Sequence, residues 1–313
     1  MKFPEIFIAT PDSKEYLVLI RDALGSQVKI TLASSLQETR QYYRQQSVVL
    51  GRPDYVSSLL GEEQPIKWVQ STWAGVAPLI KIPNRAYTLT CAKGVFNSQM
   101  SEYVIGHILS FELKIQERIR SQKENKWKPV SSGQMSGKTA GIMGTGSIGS
   151  ALATALSQLG VEVLGFNSSG KQNLPFKKVY SNDLVNEFLA NSDYLIGVLP
   201  DLSTTTDLIN ASTLKELKET AFFINVGRGN LVDEAALTAS LRSKELAGAV
   251  LDVTKKEPLP VDSELWAAPN LTLTAHTAAE SRPRDIVNLF LRNLEHFIEG
   301  ESLEGVVDFD RGY

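Results

Sequence analysis

The stretch Thr139-Ala-Gly-Ile-Met143-Gly144-Thr145-Gly146-Ser147-Ile148-Gly149-Ser150 decides the fold. An apolar run of strand length, Thr139–Met143, leads into G-x-G-x-x-G, a helix-compatible segment 150–159 follows, and another apolar run begins at Val161. Glycine-rich turns are common, but between a strand and a helix this spacing describes a phosphate cradle. Gly144 permits the tight turn, Gly146 lets the backbone approach a pyrophosphate, and Gly149 allows close packing of helix on strand. Thr145, Ser147 and Ile148 complete the loop, where a helix N-terminus would turn unpaired N–H groups and its positive dipole end toward the phosphates. Gly137-Lys138-Thr139 mimics the end of a triphosphate-binding loop. Ser132 stands where that motif needs its first glycine, however, and the tripeptide precedes a strand instead of following one.

Downstream, strands are expected at 161–166, 194–199, 221–226, 247–253 and 271–275, separated by helices. With Thr139–Met143 they make six, the count of a complete dinucleotide-binding sheet. Upstream, short β-branched or aromatic runs at 5–10, 28–33, 47–51, 66–72 and 87–92 alternate with helix-compatible stretches such as Ser13–Leu24 and 35–46, which implies a second mostly parallel sheet. Residues 102–120 read as one long helix with Ser101 as N-cap, because Val104, Ile105, Ile108, Leu109 and Phe111 recur at helical spacing. A polar stretch, 122–137, follows it, and the last helix runs from about Pro283 to Glu299. The expected architecture is α/β with two doubly wound domains. A flavodoxin-like substrate domain would comprise 1–100 and 283–313, and a Rossmann dinucleotide-binding domain 101–282. The chain would cross between them near Ser101 and Arg282, and closure there would exclude water from a reaction.

Composition narrows the function. The 313 residues carry 32 Lys and Arg against 35 Asp and Glu, a net charge of −3, so nothing attracts the whole molecule to nucleic acid or an anionic membrane. Apolar residues at 42% suffice for sizeable cores. No run of about 18 apolar residues predicts a membrane span, and residues 1–10 do not read as a secretory signal. Cys91 is the single cysteine and no Cys/His cluster has zinc-ligand spacing, so no disulfide or metal is expected. A cytoplasmic location is the expectation.

The second strand of the dinucleotide unit sets the cofactor. A carboxylate near its end would accept hydrogen bonds from the ribose hydroxyls of NAD. Asn167, Ser168, Ser169, Gly170 and Lys171 stand there instead. No acid repels a 2′-phosphate, while two hydroxyls and an ammonium could hold one, which favours NADP(H) over NAD(H). A solvated turn whose serines satisfy the backbone is the plainer alternative.

Of three histidines, His107 and His296 lie within expected helices and read as packing or surface residues, whereas His276 follows the strand 271–275. Arg228 follows the strand 221–226, and Glu257 comes shortly after 247–253. In open α/β sheets ligands gather outside the carboxyl ends of strands, so a cation, an acid and an imidazole would meet at one edge. Such a set suits reduction of a 2-oxo acid. Imidazole supplies a proton near neutral pH, a carboxylate on its other nitrogen orients it, and a guanidinium grips the substrate carboxylate and polarises the keto oxygen.

The segments Gly144–Gly149, Asn225-Val-Gly-Arg228-Gly229, Leu251-Asp252-Val253, Glu257-Pro258-Leu259 and His276-Thr-Ala-Ala resemble the D-2-hydroxyacid dehydrogenase family. Gln99-Met100-Ser101-Glu102-Tyr103, Arg282-Pro283 and Asp310-Arg311-Gly312-Tyr313 are similar to the bacterial NADPH-dependent glyoxylate/hydroxypyruvate reductases of the A type. The resemblance implies Arg228, Glu257 and His276 as the catalytic set. It also implies a substrate-carboxylate loop at Thr72, Trp73, Ala74 and Gly75, and cofactor contacts at Leu199, Pro200, Val226, Gly227 and Asp252, the last near the nicotinamide amide. A homodimer is implied as well. Two positions depart from the pattern: Ala275 replaces the usual proline before the histidine, and the turn 167–169 lacks the arginine frequent in NADPH-using relatives. Trp73 would crowd the pocket in favour of small substrates, or serve packing. Three readings stay open: reduction of glyoxylate or hydroxypyruvate with NADPH, a dehydrogenase with a larger 2-oxo acid substrate, with NADH, or with both, and a non-catalytic nucleotide sensor, against which the retained triad argues.

Overall fold

The computed structural model describes residues 3–61, 65–310 and 312; Arg311 and Tyr313 of the terminal motif lie outside the described residues. The chain forms two compact units, Met1–Phe96 with Ser281–Tyr313, and Asn97–Glu280. The junctions expected at 100/101 and 282/283 lie slightly C-terminal to these boundaries.

The first unit opens with β1 (Ile6–Ala9), α1 (Ser13–Leu24), β2 (Ile30–Ala33), α2 (Leu36–Tyr42), β3 (Val48–Gly51), α3 (Pro53–Val56), β4 (Trp68–Ser71), α4 (Ala77–Ile80) and β5 (Thr88–Thr90). The second unit carries α5 (Asn97–Glu112), α6 (Ile115–Lys123), β6 (Thr139–Met143), α7 (Ser147–Gln158), β7 (Glu162–Phe166), β8 (Lys178–Tyr180), α8 (Val185–Ala190), β9 (Tyr194–Gly197), α9 (Ala211–Leu214), β10 (Phe222–Asn225), α10 (Glu234–Ser243), β11 (Gly248–Leu251) and β12 (Leu271–Leu273). The chain then returns to the first unit as α11 (Pro283–Glu299).

In the first unit five parallel strands run in the order β2-β1-β3-β4-β5, the flavodoxin-like order. Strands β1, β3 and β4 are buried at every residue because helices cover both faces. Helix α11 closes one face: Phe290 stacks on Trp68 with ring centroids 5.1 Å apart, and Phe297 lies 5.3 Å away. The buried Asn293 donates to Gln70 Oε1 at 3.0 Å and takes the Glu304 N–H at 2.7 Å. A polar tether thus fixes the helix register within an apolar layer.

In the second unit seven parallel strands run β12-β11-β10-β9-β6-β7-β8. The order reverses at β6 and β9, which pair directly and form the switch point of a doubly wound sheet. Six strands were expected. The additional β8 is a three-residue edge strand in which only Val179 and Tyr180 are buried, too short for a period to register.

The single helix expected over 102–120 is two helices, and it begins at Asn97 instead of being capped by Ser101. The break is at Lys114, whose φ of 53° is left-handed and whose ammonium sits 4.3 Å from the Phe111 ring centroid. Just before it, the buried Glu112 binds Lys138 Nζ at 2.6 Å and the Tyr194 hydroxyl at 2.9 Å. That pairing holds the end of α5 on the sheet, while α6, with no buried residue, leaves it.

Candidate active site

At the carboxyl end of β6, Gly144 has φ 115°, and a Cβ there would stand 2.9 Å from Val198 Cγ2. A Cβ on Gly149 would stand 1.9 Å from the Gly144 carbonyl oxygen, so only glycine lets α7 start this close to the strand. A Cβ on Gly146 would meet nothing within 4 Å, which leaves open space in front of the loop. Helix α7 begins at Ser147, not at the expected Ser150, so Ser147, Ile148 and Gly149 form its first turn. The first inward bond of that turn is Ser150 N–H to the Gly146 carbonyl, at 2.8 Å. The amides of residues 145–149 have no acceptor among the described residues. Unpaired amides, open space and a helix dipole together fit a pyrophosphate.

The turn after β7 is knit by Asn167. Its Nδ2 donates to Thr145 Oγ1 at 2.9 Å and to the Lys171 carbonyl at 3.2 Å, and its Oδ1 accepts the Ser169 N–H and hydroxyl. Ser169 Oγ in turn accepts the Lys171 N–H. Asn167 and Ser169 are therefore occupied in the turn. The Ser168 hydroxyl and Lys171 ammonium have no hydrogen bond or ion pair among the described residues. Asn173, which the sequence reading passed over, donates to the Thr145 carbonyl at 3.2 Å and joins this turn to the glycine loop.

Leu199 and Pro200 follow β9, Val226 and Gly227 follow β10, and Asp252 follows β11, all at the carboxyl edge. A Cβ on Gly227 would stand 2.8 Å from the Leu199 carbonyl oxygen, so two of these segments touch through backbone. Asn225, fully buried, accepts the Gly227 N–H and donates to the Arg228 carbonyl, which shapes the turn carrying Arg228. The next residue, Gly229, packs so tightly that a Cβ would lie 2.0 Å from the Thr254 carbonyl carbon. This contact brings the arginine turn beside the segment that bears Glu257.

His276 Nδ1 lies 2.7 Å from Glu257 Oε2, and Glu257 Oε1 accepts the Thr254 N–H at 3.1 Å. The carboxylate is thus fixed from one side and holds the imidazole from the other, leaving Nε2 as the ring nitrogen without a partner among the described residues. Arg228 makes no hydrogen bond or ion pair with either residue. Its Nη1 donates to the Gly227 carbonyl at 2.6 Å. Burial pulls its pKa below the ordinary arginine value, against the nearby charges of Glu257 and Asp201, which raise it. A desolvated guanidinium of this kind is a strong anion partner. His107 lies in α5 against Tyr103, and His296 lies in α11 with Nε2 3.9 Å from Glu301. Ala275 and His276 are both left-handed, with φ 52° and 59°. The proline usual before the histidine is confined near −65° and cannot adopt the backbone found here.

In the first unit, Thr72, Trp73, Ala74 and Gly75 follow β4. The Thr72 carbonyl accepts the Ser281 hydroxyl, and the Trp73 carbonyl accepts the Ala92 N–H and the Ser71 hydroxyl. With these carbonyls taken, the amides of Ala74 and Gly75 have no acceptor among the described residues. The Arg52 guanidinium lies 4.8 Å from the Trp73 ring centroid and 5.0 Å from that of Tyr55, and pairs with Asp54 through two bonds. No motif in the sequence marks Arg52. Only its position just after β3, beside β4, could have suggested it.

Among the described residues, no group of three or more His, Cys, Asp or Glu could hold a metal ion, and no helix is long and apolar enough to cross a membrane. A glycine cradle at the switch point with an acid–imidazole pair on the same sheet edge defines an oxidoreductase built on a dinucleotide-binding unit. The chain belongs to the D-isomer specific 2-hydroxyacid dehydrogenase family, whose NAD-binding-domain model matches residues 105–278. It is 34% identical over 215 residues, 69% of each chain, to a glyoxylate/hydroxypyruvate reductase A of Citrobacter koseri. A family member from Aeromonas salmonicida superposes with a TM-score of 0.90 at 36% identity, over 98% of this chain and 100% of the other. An NADPH-dependent glyoxylate/hydroxypyruvate reductase of Sinorhizobium meliloti, solved with NADP and sulfate, gives 0.86 at 27% identity over 99% and 100%.

Proposed function

We propose that this enzyme reduces a small 2-oxo acid, glyoxylate or hydroxypyruvate, to the 2-hydroxy acid with NADPH. The observation that carries the reading is the 2.7 Å contact of His276 Nδ1 with Glu257. NADPH, held by the glycine cradle and the turn 167–171, would supply the hydride for the carbonyl carbon. As the carbon–oxygen π bond opens, His276 delivers its Nε2 proton to the oxygen, and Glu257 supports the imidazole that gives it up. Arg228 binds the substrate and stabilises charge developing on the keto oxygen. The amides at Ala74 and Gly75, with Thr72 and Trp73, are assigned to the substrate carboxylate. Gly144 to Gly149 and the turn 167–171 are assigned to the pyrophosphate and 2′-phosphate, with Ser168 and Lys171 as the groups free to bind the latter. Leu199, Pro200, Val226, Gly227 and Asp252 are assigned to the nicotinamide side. On this reading residues 101–282 form the NADP-binding domain, and 1–100 with 283–313 the substrate domain, of a cytoplasmic homodimer.

Names of similar proteins support the substrate and cofactor. The absence of arginine from residues 167–171 favours a second reading on the cofactor side, a dehydrogenase using NADH. Reduction assays on a panel of 2-oxo acids with both cofactors separate the two. His276→Ala should lower turnover by roughly 10²–10⁴-fold, the range of a lost general acid, while NADPH binding, followed by nicotinamide fluorescence, stays near wild type. Undiminished turnover in that variant refutes the proton-donor assignment.

A further inference from the structure

Helix α5 contributes Tyr103, whose hydroxyl lies 2.5 Å from Thr274 Oγ1. Thr274 gives its own proton to Asp252 Oδ1 at 2.7 Å, so the phenol is the donor to Thr274. Asp252 is buried and receives more from the same segment. Its Oδ1 accepts the Thr277 N–H at 2.8 Å, its Oδ2 the Ala278 N–H at 3.1 Å, and its backbone carbonyl the His276 N–H at 2.6 Å. The Thr277 hydroxyl closes the turn on the Thr274 carbonyl at 2.6 Å.

Everything these bonds grip is the short segment holding two consecutive left-handed residues without glycine, Ala275 and His276. Such backbone persists only where its surroundings over-determine it. Left free, the turn would relax toward right-handed or extended φ and swing the imidazole off Glu257.

We infer that Tyr103 is a positioning residue for the proton donor: through Thr274 and Asp252 its hydroxyl holds the left-handed turn that keeps His276 Nδ1 on Glu257. The inference rests on the reading of His276 as proton donor. Burial raises the Tyr103 phenol to about 12, with the Thr274 bond opposing and Asp252 adding to the rise, so it remains a donor throughout the neutral range. His107, its ring centroid 4.4 Å from that of Tyr103, steadies the phenol, and burial holds that imidazole below its ordinary pKa.

The test is a cycle of Tyr103→Phe, Thr274→Val, the double variant and Thr274→Ser, assayed with glyoxylate and NADPH beside His276→Ala. Tyr103→Phe keeps the ring and removes only the donor. It should lower kcat roughly tenfold, as small misplacements of reacting groups do, and leave KM for NADPH unchanged. Thr274→Val should reproduce or exceed that loss. The double variant should be no worse than Thr274→Val alone, because the chain is already cut, and Thr274→Ser should restore wild-type kcat. An unchanged kcat in Tyr103→Phe, additive losses in the double variant, or a loss in Thr274→Ser equal to that of Thr274→Val overturns the inference. If His276→Ala is inactive while Tyr103→Phe is normal, only the positioning role fails; if His276→Ala remains active, the proton-donor reading fails.

Discussion

The residue before the proton donor shows how much of a site can hang on one backbone angle. Ala275 bears a Cβ at φ 52°, where a side chain crowds its own carbonyl at a cost of about 1–2 kcal/mol. Ala275→Gly should relieve part of that cost and raise the thermal midpoint by a few degrees in calorimetry. Ala275→Pro, although it restores the residue common in the family, should lower stability, because proline cannot take this angle. Titration gives a second handle at this scale. The folded protein holds the Tyr103 proton up to about pH 12, whereas the unfolded chain releases it near 10. The stabilisation is therefore complete below pH 10 and is lost as the pH climbs from 10 toward 12. Urea melts across that interval should fall less steeply for Tyr103→Phe than for wild type. Burial acts on His107 in the opposite sense and favours its neutral form. Its contribution is whole above pH 6.5 and is lost as the pH falls below that value.

At the scale of elements, legibility followed the physical demand each residue makes. Gly144, Gly146 and Gly149 were readable because turn, open approach and close packing each exclude a side chain, and the structure shows those three circumstances in turn. Helix α11 was readable to the residue: Pro283 suits a first turn, Gly300 ends it at φ 75°, and a continuous apolar stripe lies between. The break at Lys114 was not, since one left-handed residue leaves the apolar spacing on both sides intact. Lys114→Gly should stabilise the joint by about 1 kcal/mol, measurable as a shift in denaturant midpoint without a change in slope. Strand β8 escaped because three edge residues carry no period. His276, Glu257 and Arg228 were legible as types placed after late strands. The roles of Asp252 and Tyr103 in gripping the histidine turn were not, because a hydrogen-bond partner far away in the chain leaves no local mark.

For the whole molecule, the alternation of strand and helix was enough to foresee two parallel sheets, one of them completed by a returning helix. That helix carries much of its sheet's cohesion. Phe290 is fully buried against Trp68, so Phe290→Ala should cost about 3–5 kcal/mol, read as faster amide exchange in β3 and β4. The order of the chain gives this arrangement a temporal meaning. On the ribosome, residues 97–280 possess every strand of their sheet as soon as they emerge, whereas the five strands made earliest lack their cover until α11 is synthesised. At about 5–20 residues per second that interval is roughly 10–40 s. The sheet translated first is the last to be sealed, and its Trp68 face is the surface on which a nascent-chain chaperone would find its purchase.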